Sequence, residues 1–369
     1  YWNPATISGL QCSELEVGMD TLFTDHTVSS SFGPFAGETD AEPGTFILPS
    51  VGWTHRLQSH PSLTFGLGIN PMAGFKTNLP TDPTNPVLSP QPIGLGTVSS
   101  EATFVNVTPV LSYAMNDRLS VAVGPVITTA QVGVQPFIFD SPNADFTYPD
   151  GRATRYTWGG GVQGGVYYIH DNCWNFGASI KSPSWMDTFE YFGNDATGQP
   201  RTMTAEIDLP LIFSLGTAYT GRDKWLFAMD ARFIDYANAD GFGDPAVFSS
   251  TGALGGLDWS SVWAIALGAQ RQLGERCHLR MGYTFNQSPI RDSESFFNTA
   301  SALFYKHMLS VGGSYEINER LALSWAYSHY FNSSVEGPIV SPLFGPLPGS
   351  SVKNDVTAHF LSLGVLMRL

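Results

Sequence analysis

The sequence predicts an all-β protein, a transmembrane antiparallel β-barrel of about 14 strands with a short N-terminal plug (hatch) in its lumen. Three observations predict this fold class. Large apolar residues alternate with small or polar residues, short polar connections alternate with long ones, and only 14% of the 369 residues are charged. Soluble domains usually carry about 25% charged residues. At 43% hydrophobic residues, the chain is also too apolar to be disordered.

The charge balance and the hydropathy pattern exclude two other classes. The net charge of −14 and the absence of a basic run disfavour a nucleic-acid partner. No apolar stretch reaches the roughly 18 residues that a membrane-spanning helix needs. The chain begins at Tyr1 without a signal-peptide pattern, so we expect that an exported precursor has lost its signal peptide.

The strands are predicted from a period of two. In the segment 224–236, Trp225 and Met229 lie on one face, whereas Asp230 and Arg232 lie on the other. Further segments alternate in the same way: 262–270, 321–331 and 360–369. The second face carries mainly Gly, Ala and Ser with scattered charges, which is typical of the lumen side of a membrane barrel and not of a water-exposed sheet. A soluble β-sandwich is the alternative interpretation.

The connections predict the number of strands. Six are short and polar: 58–61, 116–118, 171–173, 221–223, 274–276 and 318–320. Seven are long and rich in Pro, Gly, Asn, Asp and Ser: 26–45, 75–100, 139–155, 186–203, 238–257, 289–303 and 332–353. Thirteen alternating connections predict about fourteen strands, and an even number places both termini on the periplasmic side.

The chain is predicted to hold one barrel and one short plug. Residues 1–12 precede the first strand and lack its alternation, so they are the predicted hatch, and residues 13–369 form the barrel. A fourteen-stranded lumen is wide enough to conduct water unless something occludes it.

Several segments resemble one known family. The Asn3-Pro4-Ala5 sequence resembles part of the hatch in the FadL-type outer membrane transporters of long-chain fatty acids and aromatic hydrocarbons. Further similar segments occur in order along the chain: 62–79, 230–236, 281–290, 296–302 and 312–331. The resemblance spans nearly the whole chain, and the fourteen-stranded barrel of that family agrees with the number of connections.

This resemblance implies passive uptake of hydrophobic small molecules across the outer membrane of a Gram-negative-type bacterium. The family captures its substrate among extracellular loops, passes it to a lumenal pocket and releases it sideways at a kink in the third strand. In this sequence the third strand contains Gly66, Gly68, Asn70 and Pro71, of which Pro71 cannot donate to the ladder. A lateral opening is one interpretation of these residues, and an early end of the strand at Asn70-Pro71 is the other.

Charged residues on the inward face are the remaining candidates for a functional site, because buried charges need a partner or a ligand. Asp230 and Arg232 share one face, and Glu206 precedes the neighbouring strand. These residues either form a lumenal charge network or hold the carboxylate of a ligand. Arg280 and Lys306 are further inward cations with the same two possible roles.

The sequence gives no support for catalysis, a metal or a cofactor, because no grouping of nucleophile, base and orienting residue is found. The predicted partners are a hydrophobic ligand (fatty acid, hydrocarbon or detergent) and outer membrane lipids, and the predicted state is a monomer. The three cysteines, Cys12, Cys173 and Cys277, all map to the periplasmic side, where one disulfide is possible. Two rival functions are a general diffusion porin and a structural or adhesion barrel that acts through its loops.

Overall fold

The computed structural model describes residues 2–301 and 303–369. In this part of the chain, fourteen long strands form one closed antiparallel barrel, which confirms the predicted fold class. The barrel strands are β1 (Glu14–Phe32), β2 (Phe46–Arg56), β3 (Leu63–Leu79), β4 (Val98–Ala114), β5 (Leu119–Gln135), β6 (Thr157–Ile169), β7 (Trp174–Lys181), β8 (Ile212–Tyr219), β9 (Trp225–Ile234), β10 (Val262–Leu273), β11 (Cys277–Asn286), β12 (His307–Glu316), β13 (Leu321–Gly337) and β14 (Ser350–Arg368). The barrel closes because β1 pairs with β14 on one side and with β2 on the other.

All six short turns lie at one end of the barrel, which we call the turn end. Three of them begin with an Asx side chain that accepts backbone N–H groups two and three residues later: Asn116, Asp171 and Asn318. This local bond is why these residue types form tight turns. The two ends of the barrel segment meet here, since the N–H of Leu369 donates to the carbonyl of Ser13 at 2.9 Å.

The long connections lie at the opposite end, the loop end, and the strands reach further into them than predicted. β1 continues to Phe32 and then pairs with a short strand, Phe35–Asp40, so most of the predicted loop 26–45 is a β-hairpin. Gly33 supports its turn with a φ of +60°. Polar residues line both faces of this extension, so the period-two signal that marks the rest of β1 is lost there.

The two faces of the barrel follow the predicted alternation. Along β9, Phe227 and Met229 are exposed on the outside, whereas Asp230 faces the lumen. The same arrangement recurs around the barrel, with exposed Leu, Val, Ile, Phe and Trp residues on the outside. An apolar band of this extent is expected to face lipid. None of the helices in the described ranges is long and apolar enough to cross a membrane.

Two breaks in the backbone ladder of the described wall lie where the register opposes two prolines. Pairing between β2 and β3 runs from Arg56–Thr64 only to Val51–Ile69. If this register continued, Pro49 would face Pro71, and neither residue has an N–H to donate. β2 then pairs with β1 alone, β3 pairs with β4 alone, and a register shift between Pro71 and Ala73 marks a β-bulge.

The second break lies between β4 and β5 and has the same cause. Their ladder is interrupted between Val107–Ile127 and Leu111–Val123, where the register would pair Pro109 with Pro125. Here the ladder resumes on the far side of the prolines, so the two strands remain joined above and below the break.

Candidate functional site

An apolar cavity of about 320 Å³ lies at the loop end. Its wall is built from the upper parts of β3, β4 and β5, and its roof from five of the long loops. The lining residues are Phe75, Leu95, Val98, Ser100, Ala102, Phe104, Val132, Val134, Pro136, Ile138, Phe139, Tyr191, Thr204, Ala205, Glu206, Ile207, Gly241, Phe242, Asp244, Leu254, Gly255, Leu257, Phe296, Phe297, Thr299, Ala300 and Ser301. Pockets of this size and apolar character are typical of small-molecule sites.

The loops are held over this cavity by specific contacts. The Ser100 hydroxyl on β4 donates to the carbonyl of Ala300, which fixes the loop before β12 to the wall. The Tyr148 hydroxyl donates to the carbonyl of Gly252 at 2.6 Å and joins two further loops. Burial raises the pKa of Tyr148 to about 12, so this hydroxyl stays protonated and remains a donor.

The two charged residues that line the cavity lie at its solvent-exposed mouth. Glu206 and Asp244 are exposed there, whereas Phe104, Tyr191 and Phe297 are buried in the wall and roof. Among the described residues that line the cavity, none is Lys, Arg or His. The cavity therefore combines an apolar interior with an anionic rim.

The N-terminal segment lies inside the lumen. Pro4–Gly9 forms a short 3₁₀ helix that Asn3 caps by accepting the N–H of Ala5 at 3.0 Å. The Asn3 amide donates to the carbonyl of Val166 on β6 at 2.9 Å, and the Ser112 hydroxyl on β4 donates to the carbonyl of Ala5 at 3.3 Å. Asn3, Pro4 and Ala5 thus lie against the inner wall, while Tyr1 of the predicted 1–12 segment falls outside the described residues.

Two glycines make room for this segment. A Cβ on Gly165 of β6 would lie 3.0 Å from Pro4 Cδ, and a Cβ on Gly66 of β3 would lie 2.9 Å from Ile7 Cδ1. Close packing against the N-terminal segment therefore requires small residues at these two positions of the lumen face.

The predicted charged residues lie in four separate places. The Arg232 guanidinium carbon is 3.9 Å from the centroid of the Trp2 ring, and Lys181 Nζ is 5.4 Å from the same ring. Asp230 lines the same part of the lumen, a cavity of about 280 Å³ beside the N-terminal segment. Trp2 and Lys181 were not predicted, although an aromatic residue next to Asn3-Pro4 and a cation at a strand end are signals that could have indicated them.

The other three predicted charges lie apart from this cluster. Arg280 donates from Nε to Gln270 Oε1 at 2.7 Å and lines a cavity of about 300 Å³ with Glu16 and Asp20. Lys306 precedes β12, and its backbone N–H donates to the Ser333 hydroxyl at 3.2 Å. Glu206 lies at the mouth of the apolar cavity. The structure does not bring the five residues into one network.

The predicted third-strand residues lie beside the break between β2 and β3, which we call the β2–β3 seam. β3 does not end at Asn70-Pro71 but continues through the bulge to Leu79. Asn70 folds over Gly68, where a Cβ would lie 2.6 Å from Asn70 Nδ2. Phe46 of β2 lies against Gly74, where a Cβ would lie 2.5 Å from the ring. Side chains, not ladder hydrogen bonds, therefore close the seam.

The structure also describes the three cysteines and the side chains that could bind a metal ion. Cys12, Cys173 and Cys277 are free thiols, so the structure contains no disulfide between them. Within residues 2–301 and 303–369, no group of three or more His, Cys, Asp or Glu side chains is placed to hold a metal ion.

Comparison with known proteins identifies one family. The model of the outer membrane protein transport family (OMPP1/FadL/TodX) matches residues 1–367. No curated protein matches the chain. Among solved structures, a Pseudomonas aeruginosa FadL homologue is similar at 15% identity and a TM-score of 0.75, over 99% of this chain and 92% of that one.

Two further solved structures are similar to the same degree. The P. putida toluene transporter TodX has 15% identity and a TM-score of 0.72, over 100% of this chain and 92% of that one. The Ralstonia pickettii toluene transporter TbuX has 15% identity and a TM-score of 0.71, over 100% of this chain and 92% of that one. At this identity the likeness of these structures supports the fold.

Proposed function

The chain belongs to the outer membrane protein transport family OMPP1/FadL/TodX, and we propose that it is a passive transporter of hydrophobic small molecules, either long-chain fatty acids or aromatic hydrocarbons. As a member of a transport family it is not an enzyme. Its apolar outer wall belongs in the outer membrane. We propose that it works there as a monomer among outer membrane lipids, with the turn end and both termini in the periplasm and the long loops outside the cell.

The observation that carries this proposal is the position of the apolar cavity next to the β2–β3 seam. Phe75 lines the cavity and lies on the part of β3 that has no ladder to β2. Met72 and Ala73, at the bulge, pack against the same apolar cluster as Phe75. A solute that leaves the cavity past these residues meets the seam before it meets the aqueous part of the lumen.

Lateral release through the seam is the favourable direction for an apolar solute. Moving it from the cavity into lipid keeps its apolar surface out of water, whereas moving it down a wet lumen would expose that surface. Each Å² exposed costs about 25 cal/mol. Opening the seam requires Phe46 and Leu48 to move away from Gly74 but breaks no ladder hydrogen bond.

The N-terminal segment supports the same route through its contacts with the barrel wall. Residues 2–9 lie against β3, β4, β6 and β7, and the Ser179 hydroxyl on β7 donates to the carbonyl of Trp2 at 2.7 Å. We propose that this segment is the hatch, which blocks the axial path toward the turn end.

Reconstitution of the purified chain tests the proposal against its two rivals. Proteoliposomes that contain the chain should accelerate uptake of an apolar tracer, and planar bilayers should show little ion conductance. A steady conductance of hundreds of picosiemens or more would indicate a porin. Absence of both tracer binding and uptake would indicate a barrel that acts through its loops.

A further inference from the structure

Two loops at the mouth of the apolar cavity carry a large excess of negative charge. The β7–β8 loop (182–211) and the β9–β10 loop (235–261) together contain nine acidic residues and one basic residue, Arg201. Arg201 is already paired, since its guanidinium lies 3.0 Å from the carboxylate of Asp140. The excess is therefore not neutralised within these loops.

Backbone geometry brings two of these carboxylates to the rim of the cavity. Gly241 has a φ of +78°, and a Cβ on it would lie 2.6 Å from the carbonyl oxygen of Glu206. Only glycine permits this close approach of the two loops. Asp244 accepts the N–H of Gly241 at 2.8 Å and so lies on the same rim as Glu206.

Two more carboxylates lie beside this rim. The N–H of Asp208 donates to the carbonyl of Asp240 at 3.1 Å, so the two loops touch here as well. Burial raises the pKa of the Asp208 carboxyl, and the charges of Asp240 and Glu206 raise it further. These carboxylates are thus close enough to repel one another.

The next cations along the loop end are paired as well. Arg291 pairs with Asp258 and lies 3.7 Å from Glu294. Arg152 pairs with Asp150 at 2.7 Å. The described residues that line the cavity include no Lys, Arg or His. A negatively charged solute entering here would lose water without gaining a cation.

We propose that the cavity accepts apolar solutes whose polar end is uncharged or positively charged, and that its anionic rim rejects carboxylates. This inference rests on the proposed function and makes its substrate class more specific. It excludes fatty acids and keeps apolar solutes without a negative charge, such as hydrocarbons, alcohols, esters and amines. The volume fits the same class. A cavity of about 150 Å³ holds one benzene, so about 320 Å³ suits a substituted aromatic ring or a compound of similar bulk.

Three probes that share one skeleton test the proposal: 4-ethylbenzyl alcohol, 4-ethylbenzylamine and 4-ethylbenzoate. The full chain in detergent micelles is loaded with a neutral fluorescent probe, and displacement is measured at pH 7. We expect the alcohol and the amine to displace the probe at concentrations at least about tenfold lower than the carboxylate. A tenfold difference in affinity equals the free energy of a charge interaction that shifts a pKa by one unit. The amine is the control for desolvation, because a general cost of burying charge would weaken both ions.

A charge-neutral variant locates the effect. In Glu206→Gln/Asp244→Asn, which keeps an acceptor for Gly241, the ratio of carboxylate to alcohol affinity should rise about tenfold. The control variant Glu42→Gln/Asp223→Asn removes two charges elsewhere and should leave that ratio unchanged.

Three outcomes overturn the inference, and they differ in what they imply for the transport proposal. If the carboxylate binds as tightly as the alcohol, or if the rim variant leaves the ratio unchanged, charge selection at the rim is wrong while the transport proposal stands. If none of the three compounds displaces the probe, the inferred substrate class is wrong, whereas the transport proposal fails only if the neutral probe itself does not bind.

Discussion

The guanidinium of Arg232 lies over the ring of Trp2, with 3.9 Å between the guanidinium carbon and the ring centroid. Lys181 approaches the same ring, so two lumenal cations hold the beginning of the chain against the wall. A cation over an aromatic ring contributes about 0.5–2 kcal/mol, depending on its exposure. This contact gives the inward charges of β7 and β9 a structural role in holding the N-terminal segment.

Trp2→Ala should loosen this segment without unfolding the barrel. We expect the free energy that holds residues 2–9 against the wall to fall by about 1 kcal/mol. Faster hydrogen exchange at the amides of Ala5 and Thr6 would show this change. The thermal unfolding of the barrel should change little, and Trp2→Phe should restore most of the protection. Unchanged exchange in Trp2→Ala would contradict an anchoring role for the ring.

Gly165→Leu should displace the same segment from the wall. The new side chain would collide with Pro4, which is 3.0 Å from the Cβ position, and overpacking of this kind costs about 1–3 kcal/mol. The thiol of Cys12 is half-buried, and its rate of modification by a water-soluble maleimide reports the displacement. Gly164→Leu is the matched control, because a Cβ there meets only Ala122 O at 3.5 Å. Equal modification rates in the two variants would contradict the close packing at Gly165.

The carboxyl of Asp208 should make the stability of the β7–β8 loop depend on pH. Burial raises its pKa in the folded protein, and Asp240 and Glu206 add to the rise, while the Met186 N–H bond at 2.7 Å opposes it. A raised carboxyl pKa means that the folded loop binds a proton more tightly than the unfolded loop, so its stability increases as the pH falls and decreases as the pH rises through the folded pKa.

Hydrogen exchange of the loop measures this dependence. Protection of the 206–209 amides, corrected for the intrinsic effect of pH, should increase from pH 7 to pH 4.5. Asp208→Asn should flatten the profile. A profile that is equally steep in the variant would assign the pH dependence to another group.

The barrel was predictable from the sequence because its signals are local. Alternation along β9 and the Asx residues of turns such as Asn116–Arg118 depend on neighbours two or three positions apart. The extension of β1 past His26 was not predictable in this way, since its pairing with Phe35–Asp40 follows no apolar alternation.

The site was less predictable because tertiary contacts build it. Phe75, Ile138 and Phe296 come from three separate parts of the chain, and only the closed barrel brings them to one cavity. The opposition of Pro49 to Pro71 depends on the register between β2 and β3, which single-strand patterns do not contain. Alternation likewise indicated only that the five predicted charges face inward, and the closed barrel separates them into four places.

The proposed lateral release depends on the β2–β3 seam, and Pro49→Val/Pro71→Val changes this seam with little change in side-chain volume. Valine restores two N–H groups at positions that the register places opposite each other. Two added ladder hydrogen bonds, about 1 kcal/mol each, would favour the closed seam by about thirtyfold. The variant Pro109→Val/Pro125→Val makes the same change at the break between β4 and β5, where the ladder already resumes.

Initial rates of apolar-tracer uptake into proteoliposomes are therefore compared for the unchanged chain and the two double variants, at equal amounts of folded barrel. We expect uptake to fall by about tenfold or more in Pro49→Val/Pro71→Val, with tracer binding to the cavity retained and the thermal midpoint raised. The Pro109→Val/Pro125→Val control should keep its uptake. Undiminished uptake in a Pro49→Val/Pro71→Val barrel whose ladder has extended would contradict release through this seam.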